Sequence, residues 1–366
     1  MHTQNKNNKS IIFLHLPKTG GTTLRRALLK KFRPGEVITL YSEQGKKKLA
    51  GLTEAGASPG FISGHFPFGV HCRLKQPAAY ITLMRRPVER VVSLYYHVLS
   101  PLHQHGHHKE VCAKNMSLTE YVESGISLET DNNQTRRISG IRNVPFGRCT
   151  RGMLETAKKN IDEHFAFTGI TEEFDAGFVY LRNMFQWQDL FYFTDNLNAM
   201  RPLDRSLSED ERECIRRHNS YDLQLYDYVR TLFEKQIAEQ GDDFRDACRI
   251  FPRYNLLHTV THPGVVLPEV EKIGRMFSRG RFQEAGTCID TLFAGYPADF
   301  DVPPHRDAGR FIYPLALMLK RGGAYERSRI CFQRVLACAG EQSLKARAHF
   351  HCGETAYWNK EYEKAL

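Results

Sequence analysis

Two short apolar runs in the first quarter of the chain each end at a turn and are followed by a segment with helical spacing. The first run, residues 10–16, precedes Pro17 and a Gly-Gly pair, and residues 24–32 continue with no helix breaker. The second run, residues 80–84, is followed by Arg-Arg-Pro and then by residues 87–99, whose apolar positions share one helix face. The pattern predicts two strand–turn–helix units.

The second half of the chain has a different pattern. Residues 241–267 look irregular, with Gly241, Pro252 and a Thr-His-Pro turn, so we expect a linker there. Three later segments, starting at residues 280, 323 and 359, each place a small residue three positions after an aromatic one. This spacing resembles tetratricopeptide (TPR) repeats, although ordinary helix pairs have similar apolar faces.

These patterns predict a domain organisation. We expect an α/β domain over residues 9–240, a linker over 241–267, and an all-α, TPR-like helical-repeat domain over 268–366 whose last repeat is incomplete. Such repeats stack into binding surfaces, which favours a protein partner for this domain.

Composition and charge narrow the function classes. The net charge of +10 and the pI of about 9.1 favour an anionic partner, but no recognisable nucleic-acid-binding module is present. The nine cysteines form no Cys-x-x-Cys pair, which favours reduced, structural thiols. The chain shows no signal-peptide pattern and no apolar run of membrane length, so we expect a cytoplasmic protein without an integral membrane segment.

The turn after the first apolar run has the composition of an anion-binding loop. Backbone amides at a helix start, glycines that allow close approach and the charge of Lys18 together suit a phosphate-type group. In a Walker A loop the lysine and the Mg²⁺-binding hydroxyl follow the last glycine, whereas Lys18 precedes Gly20. This difference disfavours an ATPase or GTPase. A nucleotide kinase on a P-loop sheet is therefore kept only as an alternative function, and we expect no metal requirement. Taken alone, the segment could also be a Gly-Gly turn with a solvated lysine.

The second turn offers a separate anion site. Arg85 at the end of the apolar run and Ser93 two turns into the following helix would lie near one another, and arginine can bind a phosphate through two parallel hydrogen bonds. A helix-capping arginine in a structural ion pair is the simpler alternative for this segment alone.

Together the segments Leu16-Pro-Lys-Thr-Gly-Gly-Thr-Thr23 and Arg85-x-Pro-x-x-Arg-x-x-Ser93 resemble sulfotransferases that use 3′-phosphoadenosine 5′-phosphosulfate (PAPS). The resemblance is to the family 2 group that includes heparan sulfate 2-O-sulfotransferase. Residues 131–136 and 167–174 are similar to later segments of that family, so the resemblance covers about residues 9–238. It implies a P-loop-type, three-layer domain with a central parallel sheet, PAPS as sulfuryl donor and a carbohydrate hydroxyl as acceptor.

The resemblance also implies site residues. Arg86 stands where the family usually has aspartate, which leaves open which arginine contacts the 3′-phosphate; by position we expect Arg85. The implied cofactor-binding residues are Lys18, Thr19, Gly20, Gly21, Thr22, Thr23, Arg85 and Ser93.

Sulfuryl transfer needs a cation near the leaving group and a base for the acceptor proton. Lys18 fits the first role. His65, in the segment FISGHFPFGVH, matches the family's catalytic histidine, and an imidazole titrates near neutral pH. The family's partner histidine is replaced by Ser63. His15 and His71 are weaker candidates for the base, and a purely structural histidine is the alternative.

Three further residues suit an anionic or sugar acceptor: Gln134, Arg136 and Arg137. A helix start with a solvated basic face explains them equally well. In the histidine-rich stretch 97–112, His103 and His107 have His-x-x-x-His spacing, and His103, His105, His107 and His108 could together chelate a metal in a loop. We nevertheless expect a solvated loop near the acceptor instead of a metal site. A catalytically inactive sulfonucleotide-binding scaffold that acts through its repeats is the remaining alternative function.

Overall fold

The computed structural model describes residues 9–54, 58–101, 105–187, 190–192, 206–261, 325–338 and 342–358, together with isolated positions between 272 and 320. The chain divides into two compact units, Met1–Glu239 and Gln240–Leu366. Each unit has its own buried core.

The first unit is built on a parallel sheet of five strands. In chain order these are β1 (Ser10–Leu14), β2 (Val37–Thr39), β3 (Phe61–Gly64), β4 (Ala78–Met84) and β5 (Phe165–Ile170). Their order across the sheet is β2-β3-β1-β4-β5, and every pair is parallel. All residues of β1 and β3 are buried. Because successive side chains of a strand point to opposite faces, both faces of the sheet are covered, as expected for the predicted α/β domain.

Ten helices accompany the sheet in the described part of the first unit. They are α1 (Gly21–Leu29), α2 (Glu43–Glu54), α3 (Pro87–Leu99), α4 (His108–Ala113), α5 (Leu118–Glu123), α6 (Asn133–Ser139), α7 (Arg151–His164), α8 (Phe174–Met184), α9 (Glu209–His218) and α10 (Ser220–Ala238).

The strand order determines where a ligand can bind. The chain leaves β1 towards β2 on one side of the sheet, and it leaves β4 towards β5 on the other side. In open parallel sheets, the carboxyl ends of two strands whose connections diverge form a crevice, and ligands bind there. The loops that begin at residues 15 and 85 therefore flank this crevice.

A second part of the core joins three helices beside the sheet. Val91 and Val92 of α3, Tyr121 and Val122 of α5, and Ile215 of α9 are all buried in one apolar cluster. At about 25 cal/mol per Å² of buried apolar surface, a cluster of this kind contributes several kcal/mol and fixes α5 against α9.

The prediction of an irregular linker at 241–267 is wrong over most of its length. Residues Asp242–Thr261 form helix α11. Phe244, Ala247, Ile250 and Phe251 are buried along it at helical spacing. The sequence favours a linker there because a Gly-Asp-Asp start and Pro252, which lies inside the helix, are both ordinary loop signals.

The second unit also contains the helix pair α12 (Tyr325–Cys338) and α13 (Gln342–Trp358). Ala316, Phe332, Val335, Leu344 and Ala348 form its core. Helix α12 overlaps the second predicted repeat segment, which starts at residue 323. The third segment and most of the first lie outside the described residues, so the TPR-like assignment stays a prediction. Among the described helices, none has the length and apolar character needed to cross a membrane.

Candidate active site

The loop after β1 has the geometry of an anion-binding turn. Lys18 and Gly20 both have positive φ angles, 68° and 76°, and α1 starts at Gly21 without a side-chain cap or an acidic residue in its first turn. In the hydrogen bonds of the described residues, the backbone amides of residues 18–22 have no acceptor. Unpaired amides at the positive end of a helix attract an anion.

Three loops meet at this point. Arg85 Nη1 donates a hydrogen bond of 3.1 Å to the carbonyl oxygen of Lys18. Thr171 Oγ1 lies 2.8 Å from the carbonyl oxygen of Thr19 and 2.9 Å from that of Met84. These contacts tie the loops after β1, β4 and β5 together at the carboxyl edge of the sheet.

Lys18 and Arg85 place two cations side by side. Burial and the neighbouring Arg85 lower the pKa of Lys18 to about 8, and the Glu129 carboxylate opposes this shift. A bound anion would relieve the repulsion between the two cations. The arrangement is therefore better suited to holding an anion than to remaining empty.

Gln134 fixes the backbone of Arg85. Its side-chain Oε1 accepts a hydrogen bond from the Arg85 amide, and its Nε2 donates to the Arg85 carbonyl oxygen, both at 3.0 Å. The side chain is completely buried. Direct acceptor binding by Gln134, predicted from sequence, does not fit this geometry, because both ends of the amide are already occupied.

His65 follows β3 and lies beside the same crevice. Its Nδ1 is 2.6 Å from the carbonyl oxygen of His15. A carbonyl can only accept a hydrogen bond, so Nδ1 carries the proton and the neutral ring has an unprotonated Nε2. Desolvation of the imidazolium lowers the pKa of His65 below its ordinary value, although the hydrogen bond to His15 opposes this shift. Such a ring can accept a proton at neutral pH.

His15 and Tyr41 surround the His65 ring. The centroids of the His15 and His65 rings are 4.4 Å apart, and His15 Nδ1 is 2.5 Å from the Tyr41 hydroxyl oxygen. Burial lowers the pKa of His15 well below its ordinary value and raises the pKa of Tyr41 to about 12. His15 is thus a neutral, buried support for His65, which disfavours it as the base.

Comparison with known proteins identifies the family of this fold and loop pair. A family model described as galactose-3-O-sulfotransferase matches residues 2–249, more than half of the chain. The chain belongs to the galactose-3-O-sulfotransferase family. It is thus a member of a family of carbohydrate sulfotransferases.

Curated relatives give the same general picture. Heparan-sulfate 6-O-sulfotransferase 2 of Danio rerio is 28% identical over 292 residues, which cover 65% of this chain and 61% of that protein. Heparan-sulfate 6-O-sulfotransferase 1 of Cricetulus griseus is 28% identical over 294 residues, covering 63% of this chain and 69% of the relative. The match to the Danio rerio protein thus spans less than two thirds of its length. These names give no support to the 2-O group in particular.

Arg85 and Arg86 have different environments in this family member. The Arg86 amide donates to Glu172 Oε1 at 2.9 Å, and a hydrogen bond with Tyr226 raises the pKa of the Arg86 side chain. Arg86 is therefore directed towards the Glu172–Tyr226 pair, whereas Arg85 contacts the Lys18 loop. Ser93 lies half-buried in the second turn of α3, and among the described residues no hydrogen bond joins it to Arg85.

Arg136 and Arg137 also have different environments. Arg136 is buried and donates to the carbonyl oxygens of Asp131, Val144 and Pro145, besides its ion pair with the Asp131 carboxylate. It holds the loop after α6, so its prediction as an acceptor-binding residue does not fit the structure. Arg137 donates to Asn133 Oδ1 and Glu129 Oε1, and its charge acts on His15 and His65. Of the two, Arg137 faces the crevice.

Sequence reasoning missed Glu129, Thr171 and Asp222. The Glu129 carboxylate lies among basic groups, and its negative charge raises the pKa of Lys18, His65 and Arg137, against the lowering that burial causes. Asp222 accepts hydrogen bonds from the amides of Gln134 and Thr135 at 3.1 and 2.7 Å. Thr171 lies within the family-like segment 167–174, which was the one available signal; Glu129 and Asp222 carry no local motif.

Proposed function

We propose that this chain transfers the sulfuryl group of PAPS to a hydroxyl of a carbohydrate. The observation that carries the proposal is the hydrogen bond from Arg85 Nη1 to the Lys18 carbonyl oxygen, because it joins the two anion-binding loops at one crevice. PAPS has two separate phosphate-type groups, which matches two loops. Membership of a carbohydrate sulfotransferase family supports the same donor and acceptor class.

The residues present suit this donor. The 5′-phosphosulfate would be held by the amides of Thr19, Gly20, Gly21 and Thr22, by the hydroxyls of Thr22 and Thr23, and by the Lys18 ammonium. The Thr19 hydroxyl donates to the Leu16 carbonyl oxygen and holds the loop in shape. The 3′-phosphate would be held by the Arg85 guanidinium and the Ser93 hydroxyl. Arg86, which is directed towards Glu172, would add positive charge without direct contact.

The chemical roles follow from the protonation states. PAPS supplies the sulfuryl group and, as leaving group, a bisphosphate. Lys18 stabilises the negative charge that develops on the leaving side. His65 Nε2 accepts the proton of the acceptor hydroxyl, since its Nδ1 is fixed by the His15 carbonyl. We propose no metal ion in this step, because Lys18, Arg85 and the loop amides provide the positive charge.

The acceptor is proposed by class. The family name refers to a 3-O position of galactose and the relatives' names to a 6-O position of heparan sulfate, so the sugar and its position are questions for assay. Arg137 is the residue we expect to contact an anionic sugar, because it lies on the His65 side of the crevice. A protein partner for the C-terminal repeats and a cytoplasmic location stay predictions.

Transfer assays test this function. Purified protein with sulfur-labelled PAPS is expected to label one of a panel of desulfated heparan, N-acetylheparosan and galactoside acceptors. His65→Ala is expected to abolish labelling while binding of adenosine 3′,5′-bisphosphate stays unchanged. The inactive scaffold would be favoured by two results together: the wild type binds the bisphosphate but labels no acceptor, and His65→Ala changes nothing except stability. Mg²⁺-dependent phosphoryl transfer from ATP would favour the kinase.

A further inference from the structure

Helix α9 carries a cysteine and a histidine one turn apart. Cys214 and His218 are spaced i and i+4, so their side chains lie on the same face of the helix. This face packs against α5, where Val122 shares an apolar cluster with Cys214 and Ile215. The next residue of α5 is Glu123, the last residue of that helix. The fold thus brings a thiol, an imidazole and a carboxylate together from two helices.

These three groups lie close enough to share one ion. One ligand atom from each of Glu123, Cys214 and His218 lies within 4.8 Å of the others. Zinc–ligand bonds of about 2.0–2.3 Å in a tetrahedron separate the ligand atoms by roughly 3.3–3.8 Å. Side-chain rotations that move the ligand atoms about 1 Å closer together therefore complete the site. Sulfur, imidazole nitrogen and carboxylate oxygen together favour Zn²⁺ over Mg²⁺ or Ca²⁺.

We infer that Glu123, Cys214 and His218 form a zinc-binding site that clamps α5 to α9. Binding exchanges a proton for the metal: the Cys214 S–H bond breaks, an Sγ–Zn bond forms and the proton leaves to solvent. Cys214 is buried, His218 is half-buried and Glu123 is exposed, so the ion can enter from solvent and keep a water as its fourth ligand. None of the three belongs to the proposed transfer site, and the inference does not depend on the proposed function.

The surroundings allow the site to form. Glu123 is paired with Arg217 at 2.5 Å, but both side chains are largely exposed, and an ion pair of this kind is easily replaced by a metal bond.

The His218 ring packs against Phe146, with 5.3 Å between centroids, and the His218 carbonyl oxygen accepts a hydrogen bond of 3.1 Å from the Asn132 amide. The clamp would therefore also hold Asn132, the N-cap residue of α6.

Cobalt titration of the reduced full-length chain tests the inference. Co²⁺ replaces Zn²⁺ in such sites and shows a near-ultraviolet charge-transfer band only when a thiolate is bound. We expect this band to saturate at one equivalent in the wild type, to disappear when Zn²⁺ is added, and to be lost in Cys214→Ser and His218→Ala.

Cys112→Ser is the matched control. Cys112 also lies four residues from a histidine on a helix, with its Sγ 3.7 Å from His108 Nδ1. However, His108 Nδ1 is 2.7 Å from the Val98 carbonyl oxygen, and no carboxylate joins this pair among the described residues. The band is expected to persist in Cys112→Ser. Absence of the band in the wild type, or its loss in Cys112→Ser with retention in Cys214→Ser, would overturn the inference.

Glu123→Gln guards against loss of folding in the helix-core variants. Glu123 is exposed, so its replacement should leave the fold intact. We expect Zn²⁺ affinity, measured by competition with Co²⁺, to fall by at least about 10-fold, since even changes around metal ligands cost 10- to 100-fold. Unchanged affinity in Glu123→Gln would contradict the three-ligand site.

Discussion

Asn132 and Asp222 cap each other's helices. Asn132 Oδ1 accepts hydrogen bonds from the amides of Tyr221 and Asp222 at the start of α10, at 2.8 and 3.1 Å. The Asp222 carboxylate in turn accepts from the amides of Gln134 and Thr135 at the start of α6. Because Gln134 holds the backbone of Arg85, this reciprocal cap connects α10 to the proposed 3′-phosphate site.

Removing this cap should destabilise the fold. Asp222→Ala leaves two buried amides without an acceptor. It also removes the negative charge that stabilises the guanidinium of the completely buried Arg90. We expect a loss of about 2–4 kcal/mol in the free energy of unfolding, measured by urea denaturation of the full chain. Asp227→Ala, on the exposed side of the same helix, removes only a surface ion pair with Arg230 and should change it by less than about 0.5 kcal/mol. Equal effects of the two changes would contradict the cap.

His65→Ala should separate catalysis from binding. Loss of a general base lowers kcat by about 10²- to 10⁴-fold, while adenosine 3′,5′-bisphosphate should bind as in the wild type. Because the pKa of His65 is lowered below 6.5, the base form is present at neutral pH, and on the acid side kcat/KM should fall once the pH drops below 6.5. His71→Ala is the control, since His71 contacts Tyr80 and His164 instead of the crevice residues. A larger loss in His71→Ala would make His71 the base.

The pKa of Lys18 predicts an alkaline limit to cofactor binding. With a pKa of about 8 in the free protein, the ammonium loses its proton as the pH rises through that value. A bound anion favours the charged form, so the bisphosphate should bind with constant affinity below pH 8 and progressively more weakly above it. Isothermal titration across pH 6–10 measures this dependence. Lys18→Arg keeps its charge throughout this range and should lose the alkaline decline; a decline that persists there would assign it to another group.

Gly21 and Gly51 form a contrasting pair. A Cβ atom on Gly21 would lie 2.2 Å from His15 Cδ2, so Gly21→Ala must displace the ring that supports His65. We expect a cost of about 1–3 kcal/mol and a larger loss of transfer activity. Gly51 lies on α2 with nothing within 4 Å of its missing Cβ, so Gly51→Ala should stabilise the fold by about 0.5–1 kcal/mol. Thermal unfolding and transfer assays of both variants check this contrast.

The local features of the site were predictable from sequence, and the contacts between its parts were not. The strand–loop–helix units around Lys18 and Arg85 follow from short-range patterns of apolar, glycine and proline residues, and the structure has both. The hydrogen bonds of Thr171 to Thr19 and of Asp222 to Thr135 join residues far apart in the chain, for which a single sequence carries no signal. Arg136 and Arg137 are adjacent and chemically identical, and only their packing shows that the Arg136 guanidinium is already hydrogen-bonded to other groups of the protein.

Helix α11 shows a different kind of failure. Its buried residues Phe244, Ala247, Ile250 and Phe251 have helical spacing that could have been recognised. The turn-like residues Gly241 and Pro252 outweighed that spacing. Proline inside a helix removes one backbone hydrogen bond, and in this chain the apolar face compensates.

The most direct test of the account is calorimetric titration of the purified chain with adenosine 3′,5′-bisphosphate, in parallel with ATP plus Mg²⁺. The account predicts tight binding of the bisphosphate, strong loss of that binding in Lys18→Ala and Arg85→Ala, and little change in Arg86→Ala. Preference for ATP with Mg²⁺, or bisphosphate binding that survives loss of both Lys18 and Arg85, would contradict the proposed sulfuryl-donor site.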